Sequence, residues 1–108
     1  MIRIDAEAIV DWESFHSVFS FAFGFPDFYG RNMDAWIDCL TCLDEPEAKM
    51  TNVHVATGQT LTLFIDHAGQ FKARCPELFT ALVECAGFVN WRRIQIGDPP
   101  VLTLAFNA

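Results

Sequence analysis

Two aspartates one helical turn apart are the residues whose type and spacing point most directly to chemistry. Asp34, Asp38 and Thr41 recur at i, i+4 and i+7, so a helix places all three on one face. Two like charges at this spacing destabilise a helix by roughly 0.2–0.5 kcal/mol. A helix selected only for stability would carry Lys at one of these positions, whereas a surface that meets a positively charged partner keeps both acids.

A carboxylate can take the place of a phosphate in a binding cleft, because its two oxygens accept hydrogen bonds from the same Arg, Lys or His donors. Asp38 on a rigid helix suits this role, since little side-chain entropy is lost on binding, and Asp34 can engage a neighbouring basic group. The alternative interpretation is an ordinary solvated helix face, on which charged residues are common.

An aromatic turn, Phe28-Tyr29-Gly30, leads into this helix. Tyr29 combines apolar area with a hydroxyl, which is the usual character of an interface anchor. Gly30 would let another backbone approach closely or would adopt a positive φ. The alternatives are that Phe28 and Tyr29 belong to the core and that Gly30 only forms the turn.

The elements around this helix alternate between strand and helix. We predict strands at 1–5, 60–66 and 101–106, and helices from the Asp11 cap to Gly24, at 32–43, at 68–73 and from Pro76 onward. The polar connection 44–59 contains a candidate edge strand at 53–55. The sequence therefore predicts an α/β fold, a small parallel three-stranded sheet packed with helices, in one domain spanning residues 1–108.

Composition limits the possible partners. The net charge is −7, with only seven Lys and Arg, so nucleic acid is a poor partner and a basic protein suits the charge better. We expect no membrane association and a cytoplasmic location, because the sequence has no long apolar run and its first residues are acidic. We also expect free thiols, a monomer and no cofactor or metal, since Cys39 and Cys42 lack a second matching pair.

The run Phe28-Tyr29-Gly30-Arg31-Asn32-Met33-Asp34-Ala35, followed by Asp38-Cys39-Leu40-Thr41, resembles the barstar family, whose members are small intracellular inhibitors of a secreted guanyl-specific ribonuclease. The predicted order of strands and helices is similar to that family as well. The resemblance implies that Asp34 and Asp38 are the two acidic contacts and that Asp38 enters the phosphate-binding site of the ribonuclease. It implies partner contacts at Phe28, Tyr29, Gly30, Asn32, Met33, Asp34, Ile37, Asp38, Thr41 and Cys42, and at Glu84 by helix register.

Several positions depart from that family's pattern. Arg31 stands at an acidic position, Ile37 at a Trp position, Cys42 at a Gly position and Leu43 at another Trp position. These departures favour an alternative, a protein-interaction or toxin-immunity domain of the same fold whose partner is not a ribonuclease.

A third hypothesis is a small hydrolase that uses His67. Asp66 and His67 follow the middle predicted strand, and α/β folds place their sites at strand ends. With Asp34 and Glu84 they would form an acid–base group. The sequence contains no nucleophile elbow, P-loop, dinucleotide glycine pattern or HExxH motif, so we expect a protein that is not an enzyme.

Overall fold

The centre of the structure is a three-stranded parallel sheet. The computed structural model describes residues 1–108, with β1 (Ile2–Asp5), β2 (Leu61–Asp66) and β3 (Leu102–Phe106) in the order β1-β2-β3. Ile4 lies opposite Ile65, and Leu63 lies opposite Leu104. The predicted parallel α/β architecture is confirmed.

Four helices pack with this sheet: α1 (Trp12–Phe23), α2 (Met33–Thr41), α3 (Ala68–Arg74) and α4 (Pro76–Gln95). Two 3₁₀ turns cover Ala6–Ala8 and Pro46–Ala48. The predicted boundaries of α1 are confirmed, because Asp11 accepts a hydrogen bond from the Ser14 amide and Gly24 ends the helix with φ 64°. None of the helices is both long and apolar enough to cross a bilayer.

The connection between α2 and β2 differs from the prediction. The prediction of an edge strand at 53–55 was wrong, because the Val55 amide bonds to the Leu43 carbonyl at 3.0 Å and the sheet has no fourth strand.

Helix α4, which begins at Pro76, is long and continues through Arg92 and Arg93 to Gln95. This extension carries two arginines alongside the second half of α2, where they bond Asp38 and Thr41.

The core lies where α1 and α2 bury their apolar faces. Trp36 and Leu40 of α2 are completely buried, and the Trp36 ring packs edge-on against Phe19 of α1 at 5.7 Å between centroids. Burial of one such side chain stabilises the fold by roughly 1.5–3 kcal/mol. The buried side of α2 therefore fixes the direction in which its opposite side faces.

A buried arginine locks the C-terminal ends of α2 and α4 together. Arg93 is 2% exposed and forms a two-bond ion pair with Asp44, at 2.9 and 2.8 Å. Its guanidinium also donates to the carbonyls of Thr41 and Pro99 at 2.7 and 2.8 Å. These bonds hold the pKa of Asp44 below its ordinary value, with the Arg93 hydrogen bonds as the largest cause.

We expect Arg93→Gln to lower the free energy of unfolding by about 3–5 kcal/mol, because it leaves the Asp44 carboxylate, whose side chain is only 10% exposed, without its counter-ion. Urea denaturation at neutral pH measures this change. The matched control is Arg92→Gln, which removes an exposed arginine from the same turn and should cost less than about 1 kcal/mol. Equal losses in the two variants would contradict the role given to Arg93.

The same ion pair predicts a pH dependence. A carboxyl group whose pKa is lowered in the folded state contributes stability above its unfolded pKa of about 4, and this contribution is lost as the pH falls. Lowering the pH below about 4 should therefore reduce the free energy of unfolding more in the wild type than in Arg93→Gln. Parallel pH profiles of the two proteins would show that the Asp44 carboxylate is not stabilised by Arg93.

Candidate functional site

The exposed side of α2 carries the two acids that the sequence singled out. Asp34 and Asp38 are both exposed, and they lie one turn apart opposite the buried Trp36 and Leu40. The Asn32 side chain caps the helix by accepting a hydrogen bond from the Ala35 amide at 2.8 Å. Asp34 lies in the first turn, where the positive end of the helix dipole favours a carboxylate.

The neighbouring helix α4 adds Glu84, Phe88 and Arg92 to this surface, at i, i+4 and i+8 along one side. The Arg92 Nη1 atom donates to Asp38 Oδ1 at 2.6 Å. Arg92 was not among the predicted contacts. Its position in the same row as Glu84 is the sequence signal that would have identified it.

Asp34 and Glu84 are also electrostatic neighbours, as the thiol of Cys85 reveals. Burial is the largest cause that raises the pKa of Cys85, and the negative charges of Glu84 and Asp34 raise it further. One half-buried thiol therefore lies within the field of both carboxylates. The two helices together present three acids, Asp34, Asp38 and Glu84, and we call this surface the acidic face.

The other thiols near α2 are protonated at neutral pH. Burial raises the pKa of Cys39 to about 11, with smaller contributions from Asp38 and Cys42. Burial also raises the pKa of Cys42, followed by its hydrogen bond with Glu45. All four cysteines are free, as the sequence predicted.

The aromatic turn divides into an exposed and a buried residue. Phe28 is 76% exposed, so it is available as a contact, whereas Tyr29 is only 9% exposed. The Tyr29 ring packs on Phe25 at 4.6 Å, and its hydroxyl shares a 2.6 Å hydrogen bond with His16 Nδ1. Tyr29 thus anchors the turn to the core.

Burial is the largest influence on the pKa of both partners. Burial raises the pKa of the Tyr29 phenol far above its usual range, and burial followed by the charge of Arg31 lowers the pKa of His16. Both groups are therefore uncharged at neutral pH. A neutral pair can remain in the core without the desolvation cost of a charge.

Backbone strain in the turn falls on Arg31. The φ of Arg31 is 53°, whereas Gly30 has no positive φ. Gly30 instead allows close packing, because an added Cβ would lie 3.1 Å from the Nδ2 atom of the Asn32 side chain. The Arg31 guanidinium donates to the Glu13 carbonyl and to Ser17 Oγ at 2.8 and 2.9 Å. Arg31 is therefore engaged with α1.

The remaining predicted contacts are less accessible. Ile37 is only 8% exposed, and Met33, Thr41 and Cys42 are half-buried. The Thr41 hydroxyl donates to the Ile37 carbonyl at 2.6 Å, within its own helix. The structure thus brings Phe28, Asp34, Asp38 and Glu84 to the surface, and it places the aliphatic contacts behind them.

His67 lies apart from the acidic face in its bonding. Its Nδ1 is 2.9 Å from Asp5 Oδ1, and its Nε2 is 3.6 Å from Glu7 Oε2. No hydrogen bond or ion pair joins it to Asp34 or Glu84. His67 therefore shares its polar contacts with Asp5 and Glu7 and not with the acids named in the hydrolase hypothesis.

Residues 1–97 match the family model described as Barstar (barnase inhibitor). The chain belongs to the barstar family. Members of this family are ribonuclease inhibitors. No curated protein matches the chain. In this barstar-family protein, the segment that carries the aromatic turn and both aspartates of α2 lies inside the matched region.

We expect Tyr29→Phe to lower the free energy of unfolding by about 1–3 kcal/mol, because the buried His16 nitrogen loses its hydrogen-bond partner while no ring area is removed. Denaturant titration measures the loss. Phe28→Leu is the control at the exposed neighbour, and it should change stability by less than about 0.5 kcal/mol. An unchanged stability in Tyr29→Phe would contradict the anchoring role.

Proposed function

We propose that this protein binds a basic ribonuclease of the barnase type and blocks its active site with the acidic face and the adjoining turn. The observation that carries the proposal is the pair Asp34 and Asp38, both exposed and one turn apart on a helix whose other side is buried. An enzyme that cleaves RNA must bind phosphate with cationic donors. Asp38 offers those donors a carboxylate in place of the phosphate.

The rigidity of α2 supports this role. Its first turn is capped by Asn32, its apolar side is buried at Trp36, and its end is held through Thr41 by Arg93. A carboxylate on such a support loses little freedom when it binds, so more of the attraction is available as affinity.

The exposed Phe28 supports an apolar contact beside the charged one. It is 76% exposed at the turn that precedes α2, where a partner that meets Asp34 would also meet its ring. An aromatic side chain at the centre of an interface is a frequent source of affinity. Gly30, which has no side chain, lets the partner approach the backbone between Phe28 and α2. The other residues of the proposed contact lie beneath it or at its rim: Asn32, Met33, Ile37, Thr41 and Cys42.

The charge of the protein supports a basic protein partner and disfavours nucleic acid. All five arginines donate hydrogen bonds to groups of the protein itself: Arg3, Arg31, Arg74, Arg92 and Arg93. Lys49 and Lys72 are the only other basic residues besides histidine. A net charge of −7 attracts a cationic protein from a distance and repels RNA.

We place this function with inhibition and not with catalysis. The protein acts as a monomer without a cofactor, in the cytoplasm, where it would neutralise a ribonuclease before that enzyme is exported. His67 has the carboxylates of Asp5 and Glu7 as its neighbours and no nucleophile bonded to it. We therefore expect no turnover in ribonuclease and esterase assays on the purified protein. Turnover that is lost in His67→Ala would contradict this.

A specific observation favours the alternative, an interaction or toxin-immunity domain with a partner other than a ribonuclease. Asp38, the acid that must enter the phosphate site, already has an arginine of its own protein bound to it. Ile37 and Leu43, which replace aromatic residues of the family pattern, are buried as well. Binding to barnase distinguishes the two functions.

Charge reversal by Asp38→Lys should abolish inhibition of barnase while the fold is retained. The loss of one partner from a desolvated charge pair costs about 2–5 kcal/mol, a range that draws partly on the barnase–barstar pair itself, and the lysine adds repulsion. The affinity should therefore fall by at least about 30-fold. Calorimetric titration against barnase measures the binding, and circular dichroism checks the fold.

Glu47→Lys is the control for overall charge, because it makes the same substitution at an exposed acid in the 3₁₀ turn after α2. It should leave the affinity within about threefold of the wild type, which is less than 1 kcal/mol. If Asp38→Lys binds as tightly as Glu47→Lys, the proposed contact is wrong.

The rate of association with barnase should fall steeply as salt rises, because the attraction between the acidic face and a basic cleft is screened. The Debye length shortens from about 30 Å at about 0.01 M to about 3 Å at about 1 M. Stopped-flow fluorescence, with the three tryptophans as the signal, measures this rate. A rate that does not depend on salt would contradict electrostatic steering.

A further inference from the structure

The ion pair between Arg92 and Asp38 occupies the atom that the proposed function needs. Arg92 Nη1 donates to Asp38 Oδ1 at 2.6 Å, and this is the only hydrogen bond that either side chain makes within the protein. Both side chains are about half exposed, at 46% for Arg92 and 53% for Asp38. The second oxygen of Asp38 is therefore free, and the pair is open to solvent.

The ion pair of the adjacent Arg93 differs from that of Arg92 in burial and in the number of its hydrogen bonds. Arg93 is buried and makes four hydrogen bonds, two of them to the Asp44 carboxylate. Arg92 makes one bond in solvent, which is the geometry of a weak and easily exchanged pair. The two arginines thus separate a permanent contact from a replaceable one.

We propose that Arg92 is an internal competitor for Asp38, which the ribonuclease must displace when it binds. This inference rests on the proposed function. In the free protein the Arg92 guanidinium takes the position of the cationic group that the partner brings. Binding then exchanges one guanidinium for another, so Arg92 lowers the affinity for every basic partner and selects among them.

The exchange defines the chemistry of the preferred partner. A lone ammonium group gives Asp38 one strong contact, which only replaces the contact that it gives up. A guanidinium that approaches both carboxylate oxygens, or two cationic groups that converge on them, adds a bond that Arg92 does not make. The acidic face is therefore selective for a cleft with at least two convergent cationic donors.

Binding of barnase to four variants tests this role. Arg92→Gln should bind more tightly than Arg3→Gln, by about two- to fivefold, the range for an exposed ion pair. Arg3→Gln is the matched control, because it gives the same change in net charge and breaks an exposed arginine pair with Asp66 on the sheet. Asp38→Ala and Asp38→Ala/Arg92→Gln complete a double-mutant cycle, in which the gain from Arg92→Gln should disappear.

The outcomes separate this inference from the proposed function. If Asp38→Ala loses its affinity for barnase while Arg92→Gln equals Arg3→Gln or binds more weakly, the acidic face is the binding site and the competitor role is wrong. If the wild type does not bind barnase, or if Asp38→Ala binds as the wild type does, the proposed function fails.

A second measurement applies to the free protein. The guanidinium resonances of Arg92 should shift on Asp38→Ala in nuclear magnetic resonance spectra, because the substitution removes the only group to which Arg92 bonds. Unchanged Arg92 resonances would overturn the inference without reference to any partner.

Discussion

The arrangement of the acidic face depends on one buried ion pair. Arg93 joins the last turn of α4 to the end of α2, to Asp44 and to the loop at Pro99 through four hydrogen bonds. Because Arg93 is buried, these bonds oppose sliding of α2 along α4. Asp38 on one helix and Arg92 on the other meet beside that lock.

This arrangement concentrates like charges at some cost to the free protein. Asp34 is compensated by the start of α2, whereas Asp38, four residues on, lies beyond the reach of that end of the helix dipole. Arg92 supplies the compensation at Asp38 instead. An exposed pair of this kind adds at most about 1 kcal/mol to stability, so under the proposed function its larger consequence is for a partner that would replace it.

Much of the fold could be predicted because local signals agreed with the final structure. The Asp11 cap, the terminal Gly24 and the apolar strand 60–66 each lie where their pattern placed them. The segment at 53–55 was misassigned because β-branched residues favour extended backbone, whereas the Val55 amide is bonded to the Leu43 carbonyl just after α2 instead of to a strand. The partner of the Val55 amide is set by the tertiary structure and cannot be read from the local sequence.

The site was predictable in its acids and less so in its surroundings. Periodicity places Asp34 and Asp38 on one face whatever lies beside it. It cannot show that Tyr29 turns inward to bond His16 or that Arg92 reaches Asp38, because these contacts join residues 13 and 54 positions apart. Ile37 was predicted as a partner contact but is buried. Its burial is harder to predict, because the residue lies on the boundary between the apolar and acidic sides of α2.

The most direct test of the central claim is a map of the surface that barnase touches. Amide resonances of the isotope-labelled protein would be recorded with and without a catalytically inactive barnase. We predict perturbations at Phe28, Asp34, Asp38 and Glu84. Perturbations confined to the groove between β1 and α1, around Met1, Arg3 and Phe21, would contradict it.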